Sequence, residues 1–371
     1  MTQHTPSLLL AALLLSGAVA CSDDSGGASE GATTASNTAS SNTSADTGAG
    51  DDTGAAGDTG AADTGAVDGA VADTGSPMGE GWGVAAAMPT PRQETSVVAL
   101  GGEVWVLGGF DDTGTVVPTV AAYDPATDTW RSAAELPVAM HHSNAAAVGG
   151  RIVVVGFLVG LGFLPDGRCF VYDPGADAWS GCAPMPDGTE RGGSGVAVVG
   201  GRVFVVGGLR GQATTLMSAY DPEADAWEAL PDVPTPRDHM AAVGIDGRVI
   251  VVGGRNRSIG SHTTRVDIYD PAGRGWSRGA EMPTSRGGVA AAALDGVFYV
   301  FGGEGNGDDP TGVFAAAEAY DVAADRWTVL EPMPVPRHGN GAAAVDGVIY
   351  IPGGADVQAF GAIDTHERYA P

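Results

Sequence analysis

Tryptophan recurs at positions 82, 130, 179, 227, 276 and 327, at intervals of 48 to 51 residues. A unit of that length cannot bury its own apolar face, so successive copies must stack on one another. The offsets inside the unit are tighter still. Each carries a two-residue turn: Gly101-Gly102, Gly149-Gly150, Gly200-Gly201, Asp246-Gly247, Asp295-Gly296 and Asp346-Gly347. A type I′ hairpin needs positive φ at both central residues, and Gly-Gly and Asp-Gly supply it. Seven residues beyond the second turn residue stand Gly109, Phe157, Gly208, Gly254, Gly303 and Gly354. Apolar runs such as VWVL and VFVV lie between, as in strands buried on both faces. Tyrosine follows at 123, 172, 220, 269, 320 and 369, and in the first five units Trp comes seven residues after it. The intervening turns are rich in Asp and Pro.

Each unit therefore reads as four strands. Strand a leads to the two-residue turn, b ends at Gly-Gly, c carries Tyr and d starts at Trp. Four-stranded sheets repeated radially make an all-β propeller, here of six blades. The period near 50 and these offsets resemble Kelch repeats over residues 82–371. The last unit stops at Tyr369-Ala370-Pro371 without a Trp strand, whereas residues 81–87 form a Trp strand with no unit before it. The N-terminal strand is expected to complete the last blade, closing the ring and removing an exposed edge.

Ahead of the repeats the composition changes. Leu8 to Val19 is an apolar run ending in Ala20-Cys21, which reads as an export signal over residues 1–20. The Ala18-Val19-Ala20-Cys21 ending resembles a bacterial lipobox, which implies cleavage before Cys21 and lipid on its thiol. Ser22 in the following place implies the outer membrane. A plain secretory signal is the alternative. Residues 21–81 form a linker of Ser, Thr, Gly, Ala and Asp that cannot bury enough apolar surface to fold. As a coil it would span about 40 Å.

Cys169 and Cys182 lie in strands c and d of the second blade. If Tyr172 opposes Trp179 across that hairpin, Cys169 opposes Cys182, because both pairs sum to 351. Opposed Cβ atoms lie close enough for a disulfide, and export permits one. Two buried thiols are the alternative.

The chain has 18 basic residues against 45 acidic ones, a formal charge of -27. Such a surface repels nucleic acid and anionic headgroups, so no nucleic-acid partner is expected, and membrane contact only through the lipid.

Spacing locates the functional face. Strand offsets are constant within the hairpins, while the b–c connection varies, with one longer d–a connection. Both connections lie at the same end of a propeller, and variable loops on a rigid scaffold are where binding sits. That face carries Arg255, Arg257 and Glu304 after Gly-Gly, and His142, Asp238, His239 and His338 in the d–a connections. Arg92, Arg191, Arg237, Arg286 and Arg337 recur from blade to blade. They resemble the structural Kelch arginine, which implies bonds to backbone carbonyls of neighbouring blades. His141 is read as occupying that place in the second blade. Recurring Tyr and Trp are read as packing. His142, His239 and His338 come from blades two, four and six and are expected to stay apart around the ring. No metal or cofactor is therefore called for. The apolar loop FLVGLGFLPDGR of the second blade is expected to be covered or to fold across the channel mouth.

A monomeric, envelope-anchored module binding a protein or a glycan is the first expectation. The second is a carbohydrate-active enzyme, because Kelch propellers include sialic acid epimerases; it would need Glu304 with an Arg or His across the channel. The resemblance to copper oxidases of this fold is weaker, since their cofactor needs a free Cys.

Overall fold

A computed structural model describes residues 80–371. Cys21, the signal and almost all of the linker lie outside the described residues. Those described form strands and no helix, arranged as six four-stranded antiparallel sheets and one short two-stranded pair, Arg92–Gln93 with Phe110–Asp111. Blade 1 is typical: a, Ser96–Leu100; b, Glu103–Leu107; c, Val120–Asp124; d, Thr129–Ala133. The a–b turns have positive φ at both central residues in the Gly-Gly and Asp-Gly cases alike, for example 64° and 83° at Gly101 and Gly102 and 50° and 72° at Asp246 and Gly247.

The last blade closes as expected. Gly81–Val84 pairs with His366–Ala370, setting Trp82 opposite Tyr369. The same Tyr–Trp opposition recurs in the other five blades. In blade 2 it carries Cys169 opposite Cys182, and the two are disulfide-bonded.

The core is a ring of six buried clusters, one at each interface between blades. Strand b supplies the largest share of it. Residues 104–107, 203–206 and 249–252 are buried throughout, which is why these strands do not alternate in the sequence.

At the rim, Tyr and Trp do more than pack. Trp227 Nε1 donates to the carbonyl of Ala183 (2.9 Å), whose own N–H donates to Asp225, and Asp225 also accepts the Tyr220 hydroxyl. This staple joins blade 3 to blade 2 and recurs in blades 1, 2 and 5 at Asp128, Asp177 and Asp325. Blade 4 has Arg274 in that position. There the preceding blade presents Pro231, which accepts from Trp276 but has no N–H for a carboxylate to receive.

Blade 2 departs from expectation. Its strand b does not end at Gly156-Phe157 but runs from Arg151 to Val159, and strand c starts at Leu164, making a long hairpin. Gly156 keeps a left-handed φ of 83°, but Phe157 replaces the second glycine, so the two-glycine break that ends strand b elsewhere is reduced to one residue and the ladder resumes past a register shift between Asp166 and Cys169.

The recurring arginines are structural, but their acceptors lie in the blade each one leads into. Arg286 donates to Gly302 and Val300 and pairs with Glu318 of strand c. Arg237–Asp267 and Arg337–Glu367 repeat the pairing. His141 is not the blade-2 equivalent. The arginines stand nine residues before the first turn residue, which in blade 2 is Met140. Met140 also provides the carbonyl that Gly109 bonds, as the Arg237 carbonyl does for Gly208.

Candidate functional site

Two residues after each recurring arginine, or after Met140, the chain turns through a left-handed residue. These are Glu94, His142, Gly193, His239, Gly288 and Gly339, with φ between 50° and 67°. Each N–H bonds the carbonyl of its counterpart in the preceding blade. The bonds run from Glu94 to Gly339, His142 to Glu94 (3.0 Å), Gly193 to His142 (2.7 Å), His239 to Gly193 (2.9 Å), Gly288 to His239 (2.8 Å) and Gly339 to Gly288 (3.0 Å). This closed belt encircles the channel where the a strands begin. Three blades use glycine there, the residue that adopts this conformation without penalty. The other three accept roughly 1–2 kcal/mol each to carry a side chain, and those side chains are Glu94, His142 and His239.

They meet. His142 Nε2 lies 2.8 Å from His239 Nε2 and 3.1 Å from Glu94 Oε2. Flanking groups extend the network. His239 Nδ1 donates to Asp238 (2.5 Å), and Arg255 reaches Asp238 (3.1 Å), His239 Nε2 (3.0 Å) and Glu304. His338 Nδ1 stands 3.7 Å from Glu304 and 3.8 Å from Glu94, while its Nε2 donates to the Val357 carbonyl. His141 Nε2 donates to the Gly160 carbonyl (3.0 Å), and its Nδ1 lies 2.6 Å from His142 Nδ1. Burial, reinforced by His239, His141 and Arg255, pushes His142 well below the ordinary imidazole range. Burial likewise lowers His141 to about 4, against the pull of the Gly160 carbonyl. Both rings are therefore neutral near pH 7. Burial pushes Asp238 up, but the bond from His239 and the charge of Arg255 outweigh it, and its pKa is lowered.

Six of the seven residues expected on this face thus form one network: His142, Asp238, His239, Arg255, Glu304 and His338. Arg257 does not join it. It is exposed on the b–c loop of blade 4, and its side chain makes no hydrogen bond among the described residues. The expectation that the histidines of blades two, four and six stay apart is overturned. The belt draws its six residues to the axis, where side chains from different blades touch. Glu94 escaped notice in the sequence. Registering the six units on their hairpin turns reveals it, because it then falls in a column otherwise made of Gly and His.

The three clustered side chains line the channel, a cavity of about 180 Å³ walled by small residues such as Ala145, Ala242, Ala291 and Ala342. On the loop side, the long hairpin of blade 2 bends over the network. Phe163 stacks edge-on to His141 and His142, with centroids 4.8 and 5.3 Å away, so this loop does fold across the mouth. Buried Phe110 of blade 1 meets Phe163 and, from blade 6, Phe360. Around these, Leu161, Leu164, Val357 and Phe360 are exposed. The mouth is thus apolar over blades 6, 1 and 2 and charged over blades 4 and 5.

Comparison with known proteins agrees with this architecture. The Kelch motif model matches residues 91–137, 190–234, 236–283 and 285–334. It passes over blade 2, where Met140 and Phe157 replace the usual Arg and Gly. The chain is similar to Kelch-like protein terF of Aspergillus terreus, at 34% identity over 285 residues, covering 72% of this chain and 62% of that protein. It is also similar to Kelch-like protein 35 of Mus musculus, at 34% over 159 residues, 42% of this chain and 26% of that protein. The chain therefore spans less than two thirds of the length of these curated relatives. The solved structure of YjhT superposes with a TM-score of 0.65 over 76% of this chain and 96% of that one, at 16% identity, which is a likeness of fold.

Proposed function

The chain belongs to the Kelch-motif family, and from that premise we propose that it is a monomeric binding module held at the cell envelope by lipid on Cys21, recognising a protein partner on its b–c/d–a loop face. The observation that carries this reading is the composition of the mouth. Exposed Leu161, Leu164, Val357 and Phe360 share the loop face with partly buried Arg255 and exposed Arg257. An apolar centre beside arginine is the usual make-up of a protein-binding hot spot. A photo-crosslinking residue placed at Leu164 or Phe360 should trap one discrete protein in intact cells. Placed at Val84 or Val329, exposed on the outer d strands, it should trap none. Equal trapping at both pairs, or at neither, would refute the loop face as the docking surface.

The lipid anchor rests on the Ala18-Val19-Ala20-Cys21 sequence. Cys21→Ser should abolish incorporation of labelled palmitate and release the protein from the outer-membrane fraction. Retention there would count against it.

A second reading, a glycan-binding or carbohydrate-active propeller resembling the sialic acid epimerases, draws on Glu304, which stands beside both Arg255 and His338. It is weaker because Glu304 and His338 are 2% and 1% exposed, leaving a sugar hydroxyl little access to the carboxylate that must exchange its proton. A rise in Tm with a free sugar, lost in Glu304→Gln, would move this reading ahead.

A further inference from the structure

We infer that Glu94, His142 and His239 form a binding site for a borderline divalent metal ion of the zinc class, within the channel and independent of what docks on the mouth. Two histidines and one carboxylate are a ligand set for zinc and for its first-row neighbours. The three donor atoms lie within 4.8 Å of one another. Ligands of a tetrahedral zinc ion stand about 3.3 Å apart, given bonds of about 2.0–2.1 Å. The separations of 2.8 and 3.1 Å need only a small opening to reach that.

The hydrogen bonds around the cluster fix which ring nitrogens face inward. Gly160 C=O accepts only from a protonated His141 Nε2, so Nδ1 of that neutral ring is an acceptor. It takes the proton of His142 Nδ1, which leaves His142 Nε2 bare. Asp238 takes the proton of His239 Nδ1, which leaves His239 Nε2 bare as well. Two lone pairs and a carboxylate oxygen then point at one spot with too few protons among them. Each ring is oriented by a bond on its far side, to a carboxylate for His239 and to a ring anchored on a carbonyl for His142. This is the outer-shell arrangement that metal-ligating histidines characteristically have.

Charge points the same way. Three carboxylates (Glu94, Asp238, Glu304) gather at this site around one guanidinium, Arg255. A divalent cation is what such a carboxylate-rich, largely buried cluster favours. Arg255 would give up its bond to His239 Nε2 and keep those to Asp238 and Glu304. The channel gives the ion a way in and room for a water.

The test uses the full chain, stripped of metal, loaded with Zn²⁺ and desalted, with metal content measured by mass spectrometry and Co²⁺ as an optical probe. His142→Gly and His239→Gly are the informative variants, because glycine already holds the same belt position at Gly193, Gly288 and Gly339 and should preserve the fold. The wild type should retain about one equivalent of zinc and give the visible bands of tetrahedral Co²⁺. Folded glycine variants should lose both signals, and Asp238→Asn should weaken affinity about 10–100-fold. Zinc retained equally by the glycine variants would overturn the assignment. So would a wild type that takes up no zinc while NMR shows a proton shared between His142 and His239.

Discussion

Arg92 and Arg286 hold the same position in two blades and are both buried, yet they should respond differently to the same change. Arg286 pairs with Glu318, which is itself 1% exposed. Arg92 has Ala121 in that place, and its guanidinium donates only to backbone carbonyls, leaving Nε and Nη2 without partners. Burial lowers its pKa to about 10. Blade 2 already uses Met140 here. Arg286→Met would strand a buried carboxylate and should cost about 3–5 kcal/mol. Arg92→Met strands no charge and should cost about 1–2 kcal/mol, from lost hydrogen bonds. Chemical denaturation of both variants decides it, and equal losses would mean that the carboxylate partner contributes nothing. This difference was legible in the sequence only in part. The arginine column is plain, but its partner at Ser218, Asp267, Glu318 or Glu367 sits in strand c, about 30 residues away, where no fixed spacing flags it. Glu94 went unread for a related reason. Its role comes from a backbone belt that joins all six blades, and no single repeat displays that belt.

Among the elements, the strand Gly81–Val84 stabilises the ring out of proportion to its length. It is the only strand of blade 6 that comes from the other end of the described chain, so it acts as a clasp. Trp82 packs on Phe301 and Tyr369 and donates to the Glu331 carbonyl of blade 5. Trp82→Ala should destabilise by about 3 kcal/mol. Deleting residues 82–87 should lower Tm by more than about 10 °C or split the single transition, because it exposes the edge of His366–Ala370. An unchanged melting curve would mean that the clasp is dispensable. This closure could be read from the chain because Trp82 keeps the spacing of the other five. The long hairpin of blade 2 could not. Replacing one glycine by Phe157 lengthens a ladder only if the opposite strand has residues to pair with it, which is a property of two segments together.

At the scale of the whole ring, the seam between blades 6 and 1 has a chemistry that the other five lack. The Ala86 carbonyl accepts from Trp130 of blade 1, as its counterparts do elsewhere, and also from Nδ1 of His366 at 3.0 Å. His366 is 1% exposed and is packed among the rings of Tyr123, Trp130 and Tyr350. The charged groups acting on it are Arg337, which disfavours its protonation, and Asp128, which favours it; neither outweighs burial, and its pKa falls to about 4. The unfolded ring protonates near 6.5. The folded state therefore binds fewer protons between these values, and stability must rise with pH there. The contribution is fully present above about pH 6.5, shrinks as pH falls, and is gone below about 4. A separation of 2.5 units corresponds to about 3 kcal/mol at most. Because His366 lies in the strand that receives Gly81–Val84, acid should open the ring at this seam first. His366→Phe keeps the packing and removes the titration. Its Tm should fall less steeply than that of the wild type from pH 7 to pH 4, with the two curves converging at the acid end. Hydrogen exchange at pH 4.5 should show the amides of residues 81–84 and 366–370 losing protection ahead of blades 3 and 4. Parallel pH curves for the two proteins, or uniform exchange around the ring, would rule out His366 as the acid-sensitive point of closure.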